Sequence, residues 1–194
     1  MIFFKRMFAP EVFKGQRNYI NTQKKYEIIK TILLFAISFA LFLAGYLTTH
    51  TRMNLLTLVA VLGCLPACKS AVNMIMFLRY KSLDEGTALK LQERAGNLPE
   101  LFDLVFTSYD KNYQVDHLVY KDKNIVGFSG ADINEENLRK HLTEKLLVGG
   151  HKGLTIKIFN NEDKYLDRLE QLKGLDGKED DCEAVFATLK AISL

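Results

Sequence analysis

Two long apolar runs near the amino terminus constrain the fold of this chain more than any other feature. The first is Thr31 to Leu47 and the second is Asn54 to Leu78, which contains a single charged residue. A helix needs about 20 apolar residues to cross the hydrocarbon core of a bilayer, with a lower limit near 17. Because the linker 48–53 is short, the second run must return directly. The sequence therefore predicts a transmembrane helical hairpin, with spans at about 31–47 and 54–78.

The second run contains two residues that are unusual in a membrane span, Pro66 and Lys69. Pro66 removes one helix hydrogen bond and is expected to kink the helix. A charge near the bilayer centre costs at least ~2.5 kcal/mol. Two interpretations follow. Either Lys69 and Pro66 form an intramembrane polar site between helices or at an oligomer contact, or the bilayer ends near Lys69 and 70–80 continues as an interfacial helix.

The charges are divided unevenly along the chain. Residues 1–79 contain ten Lys/Arg and two Asp/Glu, whereas residues 80–194 contain sixteen and twenty-one. Basic residues flank the outer ends of the hairpin, so the positive-inside rule predicts that both termini are cytoplasmic, at a bacterial inner membrane. The basic segment 1–30 would be unusually long for the start of a cleaved signal peptide. It is expected to be juxtamembrane, either lying on lipid headgroups or disordered.

The remaining part, 80–194, reads as a cytoplasmic α/β (α+β) domain. The pattern predicts a mixed four-stranded sheet with flanking helices. Its acidic composition makes a nucleic-acid partner unlikely, because such partners need a cationic face. The predicted elements, in order, are a helix from an N-cap at Ser82 to Ala95, a strand (or short helix after Pro99) at 101–108, strands at 114–120 and 125–129 joined by a turn, a helix capped by Asn134, a strand at 154–159, a helix capped by Asn160 or Asn161, and a last amphipathic helix from Cys182.

The stretch Tyr113 to Ser129 (YQVDHLVYKDKNIVGFS) resembles the central part of a nuclease-related NERD domain, a member of the restriction-endonuclease-like nucleases. In that family an acid lies in the second strand, and the third strand carries an acid, one residue and a lysine. Asp116 matches the first acid. Residues 126–128 are Val, Gly and Phe, so the third-strand acid and lysine are missing. The resemblance implies a nuclease-like fold without its catalytic set. The whole chain also resembles uncharacterised two-span membrane proteins of Gram-positive bacteria.

Asp116 is the only catalytic candidate that the sequence offers. Its neighbour His117 would point to the opposite face of the strand, so the two residues are not expected to form a dyad. Asp116 is therefore interpreted as a surface or turn-adjacent acid. The three cysteines, Cys64, Cys68 and Cys182, match no zinc-site spacing and are expected to be buried, reduced thiols. No metal or cofactor is predicted.

Three functions remain open at this point. The first is a non-catalytic binding or scaffold protein, whose partners are the lipid bilayer and either another protein or a second copy of the chain. The second is a membrane-tethered, metal-dependent hydrolase of nuclease type, which uses Asp116 with a second acid such as Asp103 or Glu85. The third is a small-ligand sensor that signals through the region of Pro66 and Lys69.

Overall fold

A computed structural model describes residues 5–7, 9–51, 54–108, 111–175 and 181–194. The predicted headgroup-binding stretch at 1–8, the linker at 48–53, the turn at 109–113 and the acidic loop at 175–181 therefore lie partly outside the described residues. The chain divides into two compact units. The first contains Ile20–Lys81 and the residues up to Pro10, and the second contains Glu11–Tyr19 and Ser82–Leu194.

The first unit is a helical hairpin made of α1 (Tyr19–Thr49) and α2 (Leu55–Leu78). Both helices are long and apolar enough to cross a membrane. Most of their large apolar side chains are exposed rather than buried in the protein, as at Phe39, which is 62% exposed. Asn54 caps α2, since its side chain accepts a hydrogen bond from the Thr57 backbone. Helix α1 begins twelve residues before the predicted span (31 minus 19), so much of the basic segment is helical.

Small and hydroxyl-bearing residues let the two helices approach closely. A Cβ atom on Gly63 would lie 2.9 Å from Ser38 Oγ. Thr31 Oγ1 and Ser70 Oγ are 2.9 Å apart and share a hydrogen bond across the helix pair. Close approach at small residues with interhelical hydroxyl bonds is typical of membrane helix packing. Helix α2 continues through Pro66 to Leu78, and Lys69 is exposed on its surface.

The cysteine prediction is only partly correct. All three thiols are free, and Cys182 is buried. Cys68 is exposed, and Cys64 is intermediate. Both residues lie on α2, most of whose large apolar side chains are exposed as well.

The second unit contains the predicted mixed four-stranded sheet. Its strands lie in the order β1-β2-β3-β4, with antiparallel pairs β1·β2 and β2·β3 and a parallel pair β3·β4. The elements are α3 (Glu85–Ala95), β1 (Glu100–Thr107), β2 (Asn112–Lys121), β3 (Asn124–Phe128), α4 (Glu135–Val148), β4 (Thr155–Phe159), α5 (Glu162–Lys173) and α6 (Cys182–Ile192). The segment 101–108 is a strand, so the alternative of a short helix after Pro99 was wrong.

Local sequence signals account for most of these boundaries. Asn134 and Asn161 cap α4 and α5 through their side-chain oxygens, as predicted. The turn between β2 and β3 has positive φ at both Asp122 (44°) and Lys123 (60°), as a two-residue type I′ hairpin requires. The N-cap of α3 is Asp84 rather than Ser82, because the Asp84 carboxylate accepts the Gly86 N–H.

The sheet is buried on both faces. One face packs with α4 and α6 through an apolar cluster that includes Leu138, Leu142 and Leu189. The other face packs with α3 and α5 through a cluster that includes Leu91, Tyr165 and Leu169. Burial on both faces explains why β1 and β3 read as nearly continuous apolar runs instead of alternating patterns.

The outer edge of β1 is covered by both ends of the chain. The Phe102 N–H donates to the Gly15 carbonyl at 2.9 Å, and the Leu194 N–H donates to the Val105 carbonyl at 2.8 Å. The Lys14 ammonium donates to the Ser193 carbonyl at 2.6 Å. Gly15 has φ of +82°, and a Cβ there would lie 2.5 Å from the Leu101 side chain. The segment 11–19, which the sequence placed in the juxtamembrane region, is thus part of the α/β unit.

Candidate functional site

Asp116 lies in the middle of β2 and is 3% exposed. The expectation that it is a surface acid is therefore wrong. It is buried because β1 and β3 flank β2 on both sides and the loop after β3 closes over the carboxylate. Which segments lie beside Asp116 depends on the fold, so its burial is not visible in the local sequence pattern.

Both carboxylate oxygens of Asp116 have protein partners. The Gly130 N–H donates to Oδ2 at 2.6 Å, and the Gln114 side-chain amide donates to Oδ1. Burial raises the pKa of the Asp116 carboxyl, while the bonds from Gly130 and Gln114 oppose that rise. The carboxylate thus holds the loop after β3 against β2, and both of its oxygens already accept hydrogen bonds from protein groups.

The two acids considered as companions of Asp116 lie in different places. Asp103 occupies the β1 position opposite Asp116, because Phe102 pairs with His117 and Leu104 pairs with Val115. It is 3% exposed and has φ of +53°, a conformation that Asp tolerates better than most residues. Glu85 lies at the start of α3, with a 79% exposed side chain 3.9 Å from Arg17.

The third-strand positions at which the resemblance would require an acid and a lysine are Val126 and Phe128. Both belong to the apolar cluster under α3 and α5. Gly127 lies between them and faces the other side, where a Cβ would lie 2.9 Å from Ile158 Cδ1 and 3.2 Å from Val115 Cγ1. A side chain at Gly127 would therefore have to displace the Ile158 methyl group. Among the described residues, no group of three His, Cys, Asp or Glu side chains could hold a metal ion.

His117 belongs to a separate hydrogen-bonded chain on the face under α3 and α5. Its Nε2 is 2.9 Å from Glu100 Oε2, and its Nδ1 is 2.8 Å from the Tyr165 hydroxyl. The chain extends to the surface, where Gln92 donates to Glu100 and accepts from Arg17. The adjacent Asp116 and His117 therefore have different partners, in agreement with the prediction that they form no dyad.

Tyr165, at the inner end of these hydrogen bonds, is fully buried. Burial, and secondarily the nearby Glu100 carboxylate, raises the pKa of Tyr165 well above its usual value. The phenol therefore keeps its proton, and its hydroxyl is hydrogen-bonded to His117 Nδ1. Phe102 lies against the imidazole with ring centroids 4.4 Å apart. No solvent reaches His117, which is 0% exposed. The chain joins β1, β2 and α5, and its inner end at His117 and Tyr165 is closed to solvent.

Sequence reasoning missed Glu100 and Tyr165 as partners of His117. The antiparallel register of β1 and β2 was the available signal, since Glu100 and Phe102 share a face and Phe102 pairs with His117. Tyr165 was read only as one member of an apolar helix face. Its partner could not be identified without knowing which helix covers which side of the sheet.

Comparisons with protein-family models, with curated proteins and with solved structures found no match. The site therefore has to be interpreted from its own chemistry.

Proposed function

We propose that this chain is a membrane-anchored, non-catalytic binding protein, in which α1 and α2 span the bilayer and the α/β domain binds another protein in the cytoplasm. The observation that carries the proposal is the use of Asp116. A nuclease of this topology needs two free carboxylates to hold the metal ion that activates water. Here Asp116 is bonded through both oxygens, and the third-strand positions 126–128 hold Val, Gly and Phe.

The anchoring part of the proposal is supported by the hairpin. The Lys24 ammonium donates to the Tyr80 carbonyl at 2.8 Å, so the amino-terminal flank of α1 and the carboxy-terminal flank of α2 lie on the same side. These flanks hold most of the basic residues of the hairpin unit. The positive-inside rule then favours the cytoplasm for both flanks and for the domain that follows. A bacterial inner membrane fits this arrangement.

The nuclease-like ancestry of the domain also remains a proposal. It is supported by the element order α3-β1-β2-β3-α4-β4, by the parallel β3·β4 pair, and by the position of Asp116 in the second strand. One observation favours the alternative of an active metal-dependent hydrolase, namely that Asp103 lies opposite Asp116 in the β1·β2 ladder.

The purified full chain, incubated in detergent with Mg²⁺ or Mn²⁺ and labelled DNA or RNA, tests these two functions. We expect wild type and Asp116→Asn to give the same background cleavage. Metal-dependent cleavage that Asp116→Asn abolishes, while a control at the exposed Glu93 (Glu93→Gln) retains it, would establish the hydrolase instead. Binding is tested in parallel by cross-linking in intact membranes. We expect an adduct with a second polypeptide that is lost when the α/β domain is deleted, and an adduct that survives this deletion contradicts the proposal.

A further inference from the structure

The two outer edges of the sheet differ in whether they are covered. Gly15 and Leu194 bond to the outer edge of β1 from the two ends of the chain. Strand β4 stands at the opposite end of the strand order, and among the described residues no strand pairs with its outer side. An unpaired strand edge presents a row of backbone donors and acceptors to which another chain can pair. The outer side of β4 is therefore where the sheet can be extended.

The pairing of β3 with β4 fixes which backbone groups of β4 face outward. The Thr155 N–H donates to the Lys123 carbonyl at 2.8 Å. In a sheet ladder, successive residues of a strand turn their backbone groups alternately to one side and to the other. Thr155 and Lys157 therefore face β3, whereas Ile156 and Ile158 direct their N–H and C=O groups to the outer edge. In the part of the chain that the structure describes, these outward groups have no hydrogen-bond partner.

The next outward amide along β4 shows how this edge accepts a partner. The Asn160 N–H donates to Glu135 Oε1 at 3.1 Å, so a carboxylate of α4 takes the place of a strand carbonyl. The Asn160 side chain also donates to the Ile133 carbonyl at 2.9 Å. The edge is thus closed at Asn160 and open at Ile156 and Ile158.

The open stretch borders a groove of about 410 Å³. One wall of the groove is β4, and the other is formed by three side chains of α4: Glu135, Glu136 and Arg139. Ile156 and Ile158 pack into the apolar cluster under α4 and α6, so their side chains are buried. The side chains of Thr155 and Lys157 are exposed. A strand added at the usual spacing of about 4.8 Å would meet the backbone of the first pair and the side chains of the second.

Lys157 decides what kind of strand fits this edge. Among the described residues, no carboxylate forms an ion pair with its exposed ammonium group. If two copies of β4 paired antiparallel through all their outward groups, Ile156 would pair with Ile158 of the other copy, and the two Lys157 side chains would stand opposite each other. Like charges at opposed positions destabilise a strand pair, whereas opposite charges stabilise it. A second copy is therefore disfavoured, and a strand with Asp or Glu opposite Lys157 is favoured.

We infer that the outer edge of β4 is the docking site for an extended segment of the partner protein. This segment adds a fifth strand to the sheet, bonds to the outward backbone groups of Ile156 and Ile158, and places an acidic side chain opposite Lys157. In recognition by strand addition, main-chain bonds supply affinity and side-chain positions supply specificity. The inference rests on the proposed function, because it assigns the surface through which the α/β domain binds its protein partner.

The test uses the full chain in phosphatidylcholine nanodiscs and a short capped peptide of alternating valine and threonine with a central glutamate. Amide hydrogen exchange is measured at single residues. At a peptide concentration ten times the dissociation constant, exchange of the Ile156 and Ile158 amides should slow about tenfold. The Lys157 amide, which faces β3, should be unchanged. A peptide with lysine in place of the glutamate should bind about fivefold more weakly. Unchanged exchange at both isoleucine amides overturns the inference.

Charge reversal at the edge supplies the matched comparison. Lys157→Glu should reverse the preference, so that the lysine peptide binds more tightly than the glutamate peptide. Lys152→Glu makes the same change at an exposed position in the loop before β4 and should leave the affinity of the glutamate peptide unchanged. An unaltered preference in Lys157→Glu, or an equal effect of Lys152→Glu, overturns the inference.

Photo-cross-linking in intact membranes separates failure of this inference from failure of the proposed function. A photoreactive residue at Thr155 should form an adduct with another polypeptide, within a segment that contains Asp or Glu, and Lys157→Glu should reduce its yield. The same residue at Thr143, exposed on α4, is the control. An adduct from Thr143 but not from Thr155 leaves the proposed function intact and overturns docking at β4, as does an adduct between two copies at Thr155. No adduct from either position contradicts the proposed function itself.

Discussion

The hairpin and the α/β domain both bury acidic side chains, but the two regions differ in how completely these side chains are hydrogen-bonded. In the α/β domain, the two oxygens of Asp116 accept from Gly130 and Gln114, and both nitrogens of His117 have partners. In the hairpin, Glu27 Oε2 and Gln23 Oε1 have none. A fully bonded buried group holds a structure in place, whereas a buried group without a partner is costly. The acid that resembles a catalytic residue is therefore architectural.

The largest expected change in unfolding free energy comes from comparing a buried aromatic ring of the α/β domain with an exposed one of the hairpin. Tyr165→Ala in the α/β domain should lower the free energy of unfolding by about 3–5 kcal/mol, because it empties a fully buried site. Phe39→Ala in α1, at a 62% exposed position, should cost less than about 1 kcal/mol in the same detergent. Urea unfolding of the full chain, followed by hydrogen exchange in each unit, measures both.

Tyr165→Phe isolates the hydroxyl and is the control for this comparison. It leaves the His117 Nδ1 atom buried without a hydrogen-bond partner, so we expect a loss of about 1–3 kcal/mol. If Tyr165→Phe is as stable as wild type, the hydrogen-bonded chain from Glu100 to Tyr165 does not hold the sheet to α5.

The α/β fold was largely predictable because its signals are local. Asn134 and Asn161 stand immediately before helices, and the turn at 121–124 separates two strands of high β propensity. Each signal depends on residues within one or two turns of chain. The mixed sheet was also predictable, since a meander followed by a helical crossover leaves few alternatives.

The polar sites were harder to predict because their partners are distant in sequence. His117 is 17 residues from Glu100 and 48 from Tyr165. The burial of Asp116 depends on Gly130, in a loop whose path is set by the β3·β4 pair. Glu27 was overlooked for another reason. It lies among five lysines and arginines between Lys14 and Lys30, and this basic flank hid the four-residue spacing of Gln23, Glu27 and Thr31.

A smaller effect, with a defined pH dependence, is expected at Asp116. Burial raises the pKa of this carboxyl in the folded state above its unfolded value. Its contribution to stability is thus greatest below the unfolded pKa and is lost as pH rises through the folded pKa. Asp116→Asn cannot ionise, so the stability of wild type relative to this variant should fall as pH rises through that window. Unfolding curves at a series of acidic pH values measure the difference.

Asp116→Ala is the companion variant. It removes the acceptor for Gly130 and Gln114 and should cost about 1–3 kcal/mol at any pH. A wild-type stability that rises relative to Asp116→Asn with increasing pH would mean that the two bonds outweigh burial. Asp116 would then be held as a charged group, and the case for a metal site would be stronger.

The smallest effect is expected at Lys69, and it tests whether the hairpin is in the membrane at all. The full chain should sediment with membranes in a high-speed spin without detergent. Lys69→Leu should leave the unfolding free energy of the α/β domain within about 0.5 kcal/mol of wild type, since Lys69 is exposed on α2. Membrane insertion of α2, measured by a glycosylation or reporter assay, separates the two interpretations of this residue. If the replacement makes the insertion free energy of α2 more favourable by about 2.5 kcal/mol, Lys69 lies near the bilayer centre. If this free energy does not change, Lys69 lies at the interface. Lys152→Leu, at an exposed position of the α/β domain, is the control and should have no effect on insertion. A full chain that remains in the supernatant would instead make α1 and α2 a soluble helical pair, and the contrast between the two regions would then have to be explained without lipid.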